Sequence, residues 1–429
     1  METLGGLERR VAMKLPAEEI ERQVDARLKQ LARNMKLPGF RPGKVPLKLV
    51  AQTYGPQVRS EVLSDAVQKA FSEAVKEANL RVAGYPRIEK KDGEAGALEF
   101  SATFEIYPEV KLGDISAATI ERPQVSVDDA AVDRTIGILR KQRTRFVAAE
   151  RPASDGDRLT VDFEGRVDGQ VFPGGKAENF VFTIGEGRLL PEFDAAVRGM
   201  SEGETKTFTV KFPGDYQGKE VAGKEASFEL KLKTVEEPRL PALDADFAKS
   251  LGVADGSLEK MRSEIRANVE REVAKRVEAR VKAQALQGLL DATPLELPKS
   301  LVEMETQQLV QRAAGDLQAR GIKPEQVPLN PTAFEESAKR RVALGLIIGE
   351  LARGENLQPK PAEVRALVEQ EAQTYESPAE VVKWFYMQPQ RLSEMEGVAL
   401  EANVVKWVLS KAKVVEKPVP FDELMGSSA

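Results

Sequence analysis

The chain of 429 residues contains no histidine and no cysteine, and that absence decides which chemistry its side chains can do. Ser-His-Asp and Cys-His mechanisms are excluded, as are histidine-ligated metals and disulfides. Carboxylates, lysine, tyrosine and hydroxyls remain, or an apolar surface that works without proton transfer. Nucleotide chemistry finds no cradle: Gly174-Gly175-Lys176 is followed by Ala177, and Gly185-Glu186-Gly187 lacks a third glycine. No cofactor and no metal is expected. Nine of the chain's 25 aromatics fall between Asp155 and Val235, which gives that segment a dense aromatic core.

A second group of interest is Gly39-Phe40-Arg41-Pro42-Gly43-Lys44-Val45-Pro46. Ile20, Val24, Leu28 and Leu31 recur at helical spacing before it. Leu47 to Asn79 reads as further helix after it, broken near Gly55-Pro56. Two glycines and two prolines in eight residues cannot continue a helix, so the stretch is the tip between two. From Arg22 to Lys48 there are eight Lys or Arg and one acid, Asp25. A cationic face with an aromatic at its tip suits an RNA-protein surface. An ordinary turn with Phe40 folded into the core fits the residues equally well.

The elements that must position these groups fall into four stretches. Residues 1–110 mix helix and strand, with Leu7–Leu15 and the alternating Leu98–Tyr107 as strands, and predict an α+β domain. Residues 111–151 form a connector, with a strand at Ala118–Val125 and a helix over Val127–Phe146. Residues 152–237 alternate like strands at Arg158–Gly165, Asn179–Ile184, Glu204–Phe212 and Ala226–Val235. One short helix lies at Leu189–Gly199, so this is a small antiparallel sheet around one helix. Residues 238–429 are predominantly helical. Leu258, Met261, Ile265, Val269, Val273, Val277 and Val281 form one apolar stripe, and further helices lie at Leu301–Arg320, Ala333–Ala352, Pro361–Tyr375 and Ser393–Ala412. The first exceeds 30 residues, about 45 Å at the helical rise, which predicts an elongated all-α domain with arms.

Hydrophobic residues make up 41% and charged residues 31% of the chain, with a mild net charge of -5. No apolar run approaches the ~18 residues of a membrane helix. The N-terminus lacks the basic-then-apolar order of a signal peptide. A cytoplasmic protein without membrane contact is the expectation.

The segment Gly39–Pro46 resembles the ribosome-docking signature of the bacterial trigger factor family, G-F-R-x-G-K-x-P, and every fixed position matches. The resemblance runs through nearly the whole chain. It implies a multidomain α+β protein whose N-terminal domain binds the large ribosomal subunit, both protein and rRNA, beside the exit tunnel. Gly39, Phe40, Arg41, Pro42, Gly43 and Lys44 form the docking loop. Pro42 fills a variable position that is often basic in the family, which removes one cation and stiffens the loop. The helical region corresponds to a chaperone body holding nascent and unfolded polypeptides. Within it, Trp384-Phe385-Tyr386-Met387 reads as a packed helix corner or an exposed clamp.

The aromatic domain is similar to the FKBP-type peptidyl-prolyl isomerases. The similarity rests on Val161-Asp162-Phe163-Glu164-Gly165, Asp168-Gly169-Gln170-Val171-Phe172, Phe180-Val181-Phe182-Thr183-Ile184-Gly185, Leu189-Leu190-Pro191-Glu192-Phe193 and Gly199-Met200-Ser201-Glu202-Gly203-Glu204. It implies pocket walls at Phe163, Phe172, Phe182, Leu189, Leu190, Phe193 and Phe228, with Tyr216 as a wall or donor. Pro173 stands where small members carry Asp, and Phe193 where they often carry Trp. Phe180 and Phe208 read as core. Such a pocket suits a chain without histidine, because turning an X-Pro bond needs neither nucleophile nor metal.

Three functions fit: a ribosome-associated chaperone with isomerase activity, a free isomerase whose N-terminal domain serves homodimerisation, and a holdase whose FKBP-like domain is inactive.

Overall fold

The computed structural model describes every residue except 36–44, 92–96, 188, 215, 217, 219, 324–326, 328 and 427–429. The loop Gly39–Lys44 thus lies outside the described residues. The chain forms two compact units: Met1–Pro123 with Glu278–Lys417, and Gln124–Val277 with Pro418–Ala429. The grouping is not sequential, because the chain leaves the first unit and returns to it.

The N-terminal elements are β1 (Glu2–Gly5), β2 (Glu8–Pro16), α1 (Ala17–Asn34), α2 (Leu47–Glu77), β3 (Val82–Lys91) and β4 (Ala97–Ile106). The strands make an antiparallel sheet in the order β1-β2-β4-β3. Alternation along β2 and β4 turns Val11, Met13, Phe100, Ala102 and Phe104 onto Val67 and Phe71 of α2. On α1 the four-residue spacing buries Ile20, Val24, Leu28 and Ala32. The expected break at Gly55-Pro56 does not occur: α2 runs through Pro56 unbroken. Proline removes one backbone donor, while Val50 and Val58 on either side are both buried in the cluster that α1 shares. Burial on both flanks outweighs that single lost bond.

The middle of the chain supplies β5 (Thr119–Gln124), α3 (Asp129–Gln142), β6 (Arg145–Ala148), β7 (Arg158–Val167), β8 (Gln170–Thr183), α4 (Pro191–Val197), β9 (Thr205–Lys211), β10 (Glu225–Arg239) and α5 (Ala245–Ser250). The Asp128 carboxylate caps α3, accepting from the Ala131 amide at 2.8 Å. The helix expected to reach Phe146 stops at Gln142. Residues 145–148 instead pair antiparallel with β10, Phe146 opposite Pro238, and the Arg158 guanidinium covers the Phe146 ring at 4.4 Å. β10 is the spine of this five-stranded sheet. One side of it carries β7, and the other carries β9 along its first half and β6 along its second.

The remaining elements are α6 (Leu258–Ala292), α7 (Lys299–Ala319), α8 (Thr332–Gly354), α9 (Pro361–Ala372), α10 (Pro378–Met387), α11 (Pro389–Lys411), β11 (Lys413–Pro418) and α12 (Phe421–Met425). In the second unit, Met261, Ile265, Val269 and Val273 of α6 are buried with Val132 and Ile136 of α3 and Leu424 of α12. β11 returns to pair with β5. Of the Trp384–Met387 run only Phe385 is buried, at 6% exposure; Trp384, Tyr386 and Met387 are 39%, 45% and 81% exposed. The packed-corner reading therefore holds for one ring of the three. Among the described residues no helix is long and apolar enough to cross a membrane.

Within the first unit, α7 begins after Pro298 and has no side-chain cap of its own. Glu105 at the end of β4 supplies one from 195 residues away. Its carboxylate accepts from the Lys299 amide at 2.9 Å and the Ser300 amide at 2.7 Å, and its negative charge sits where the helix dipole favours it. The Ser300 hydroxyl donates to the Ala83 carbonyl at 3.1 Å. Gly84, with φ +71°, lies so close that a Cβ there would fall 2.6 Å from that of Ser300. Burial pushes the Glu105 carboxyl up, but the bonds from Ser300 and Lys299 outweigh this and hold it below the usual range. The cap is therefore complete above the ordinary glutamate range and is lost as pH falls through the lowered folded value. Glu105→Ala should expose the Lys299 and Ser300 amides, speeding their hydrogen exchange about fivefold, the scale of an N-cap worth ~1 kcal/mol. Acidifying the parent protein should give the same loss of protection relative to intrinsic rates, and acidifying the variant should add nothing.

Candidate active site

Hairpin geometry brings the aromatic residues together. Asp168 and Gly169 take φ +51° and +81°, the paired left-handed residues of a tight hairpin turn, and so fold β8 back along β7. The short α4 then lies against the sheet. Pro191 opens it and Gly199, with φ +78°, follows its end. Two polar contacts hold it in place. The Asp194 carboxylate accepts from the Gly185 amide at 3.1 Å, and the Lys206 ammonium donates to the Ala196 carbonyl at 2.8 Å.

This arrangement puts Phe193 of α4 at the centre of the rings. Its centroid lies 5.6 Å from Phe163, 6.1 Å from Phe182, 5.0 Å from Phe208 and 5.4 Å from Phe228, with interplanar angles of 76–86°. Edge-to-face pairs of this kind add ~0.5–1.5 kcal/mol each beyond area burial. Phe182, Phe193 and Phe228 are buried, while Phe163, Phe172, Leu189 and Leu190 are half-buried against the same cluster. All seven named aromatic and leucine walls thus join one apolar group. Tyr216 is 42% exposed, with its ring 4.7 Å from that of Phe212.

Two expectations change. Phe180 and Phe208 are not core but half-buried, in ring contact with Phe163 at 5.5 Å and with Phe193 at 5.0 Å. Phe212, expected only as the end of a strand, joins the rings as well. It is buried between Phe172 at 5.9 Å, Tyr216 and Phe228 at 6.5 Å. The period-two series Phe208, Val210, Phe212 carries that signal.

The charged groups lie outside the cluster, in pairs. Asp162 accepts from Lys233 and from the Asn179 amide, both at 2.7 Å, and the lysine bond chiefly holds its carboxyl low. Glu164 pairs with Arg166 at 2.7 Å and Lys176 at 3.4 Å and is held low in the same way. Asp157 is fully buried. Burial pushes it up, but Arg151 at 2.7 and 2.9 Å and Ser154 at 2.9 and 3.1 Å outweigh this and keep it ionised. Among the described residues, the side chains that pack into this cluster around Phe193 are apolar.

On α1 and α2, which flank the undescribed loop, Arg27 pairs with Glu61 at 2.8 Å, Arg59 with Glu21 at 2.5 Å and Arg22 with Glu19. Lys29, Arg33 and Lys48 are exposed.

Comparison with known proteins agrees along the whole chain. The family model for bacterial trigger factor protein matches residues 1–139, and that for the trigger factor C-terminus matches 257–410. The model for FKBP-type peptidyl-prolyl cis-trans isomerase matches 149–233. The trigger factor of Azoarcus sp. is 56% identical over 424 residues, covering 99% of this chain and 97% of that relative. The trigger factor of Aromatoleum aromaticum is 55% identical over 429 residues, covering 100% and 99%. A solved structure described as "Promiscuous Substrate Recognition in Folding and Assembly Activities of the Trigger Factor Chaperone" aligns with a TM-score of 0.46 at 20% identity, covering 94% of this chain and 97% of that one. With relatives more than half identical end to end, the chain belongs to the bacterial trigger factor family, chaperones that carry an FKBP-type peptidyl-prolyl isomerase domain.

Proposed function

We propose that this chaperone docks beside the ribosomal exit tunnel through Gly39–Lys44, holds emerging chains on its helical region, and isomerises their X-Pro bonds at the Phe193 cluster. The observation that carries the catalytic part is the set of rings converging on Phe193. Amide resonance sets a rotation barrier of ~18–20 kcal/mol. An apolar surface that grips the proline ring and excludes water disfavours the planar, charge-separated amide relative to the twisted one. Phe182, Phe193 and Phe228 form the floor of that site. Phe163, Phe172, Leu189 and Leu190 form its walls, and Tyr216 stands at its edge beside Phe212. The side chains themselves need supply no proton, so catalysis should be flat with pH wherever the fold is intact.

For docking, the matched signature supplies Phe40, Arg41 and Lys44 as contacts to ribosomal protein and rRNA, within Gly39, Pro42 and Gly43. The exposed Lys29, Arg33 and Lys48 extend the cationic face onto the flanking helices. Phosphate contacts of this kind weaken as salt rises. The partners are the large subunit and nascent or unfolded polypeptides in the cytoplasm. Off the ribosome, pairing with a second copy is a separate outcome that sedimentation of the free protein resolves.

In a proline-peptide isomerisation assay, Phe193→Leu should lower kcat/KM by roughly tenfold or more, since small displacements at a site cost that much. Unchanged activity would place catalysis elsewhere. In co-sedimentation with translating ribosomes at low salt, a Phe40→Ala, Arg41→Ala, Lys44→Ala triple variant should lose binding while keeping peptide isomerisation. Equal binding by parent and variant would remove the docking loop from the reading.

A further inference from the structure

Gly165 of β7 and Gly175 of β8 stand inside strands, where glycine forfeits packing and ordering entropy. Neither adopts a positive φ, so conformational freedom does not account for them. Space does. A Cβ on Gly165 would lie 2.4, 2.7 and 2.9 Å from Cε1, Cζ and Cδ1 of Phe228. A Cβ on Gly175 would lie 2.9 and 3.0 Å from Cε1 and Cζ of Phe172, and 2.9 Å from the Gly165 carbonyl oxygen. Each ring occupies the volume that a side chain at the glycine would need. Phe228 sits directly opposite Gly165 in the β10–β7 register. The β7–β8 ladder shifts register between Glu164 and Arg166, with Phe172 to Gly175 on the opposing side. The two rings so seated meet at 6.1 Å and 85°. Phe228 in turn backs Phe193, Phe163 and Phe208 at 5.4, 5.9 and 6.0 Å.

We infer that Gly165 and Gly175 are positioning residues of the isomerase site: by omitting a side chain they set the planes of Phe228 and Phe172, and with them the shape of the surface that receives the proline ring. The inference rests on the Phe193 cluster being that site. Neither glycine touches substrate. Each acts through the ring laid against it.

The test is a double-mutant cycle on the full chain, read as kcat/KM for a proline peptide well below the unfolding temperature. Gly165→Ala should lower kcat/KM about tenfold, because the added methyl tilts the Phe228 ring. Phe228→Val should also lower it. Adding Gly165→Ala to Phe228→Val should cost little more, because the ring that the methyl would strike is gone. An equal loss in both backgrounds overturns the inference. So does unchanged kcat/KM in Gly165→Ala with only a lowered Tm, which would make the glycine a strand-pairing device. Full activity in Phe193→Leu defeats the reading of the site and the inference with it. A tenfold loss in Phe193→Leu beside an unaffected Gly165→Ala defeats the inference alone. Should Gly165→Ala alone fail to fold, the Gly165→Ala, Phe228→Val double variant is compared with Phe228→Val: equal kcat/KM supports the inference and a further loss of about tenfold overturns it, since the three nearest atoms at Gly165 all belong to Phe228.

Discussion

Phe193 meets four other rings nearly edge-on, and geometry allows that only if α4 is short and fixed. Aromatic quadrupoles favour the edge-to-face arrangement, but the preference is a fraction of the energy of burying a ring. The polar ties from Gly185 to Asp194 and from Lys206 to Ala196 therefore matter as much as the rings. They hold the middle and the C-terminal end of one short helix against a sheet whose spine, β10, already carries Phe228. The apolar cluster is thus steadied by hydrogen bonds at its margins.

The same division between dry interior and paired periphery runs through the second unit. Asp157 is buried yet ionised, because Arg151 and Ser154 satisfy its oxygens. Asp162 and Glu164 spend their charge on lysine and arginine outside the ring cluster. A chain without histidine has no side chain that changes protonation near neutrality by its ordinary value. Charges in such a protein keep their sign through the neutral range.

Much of this was legible in the sequence, for physical reasons that differ by element. The apolar stripe of α6 and the period-two runs of β2, β4, β7 and β10 announce themselves because one face of each is buried. The grouping of the rings follows motif order, but their burial does not: Phe180 and Phe208 are half-buried against the buried Phe193, a distinction periodicity cannot make. β6 was hidden because its four residues continue a helical pattern, and only pairing with β10 makes them extended. Pro56 misled because a proline's local cost is visible in sequence while burial on both sides of it is not. The cap that Glu105 gives α7 spans 195 residues, beyond any local signal.

The pairing made by β11 has a bearing on how the molecule is made. β11 lies beside β5, and Lys417 reaches Glu121 across 296 positions. Beyond it, Phe421 and Leu424 fill the cluster built by α3 and α6. Closing such long loops is slow, and the partners emerge at opposite ends of synthesis. The first strand of that pair must wait, unpaired, while nearly three hundred residues follow it out of the ribosome. The pairing of β5 with β11 is therefore among the late steps in the folding of this chain.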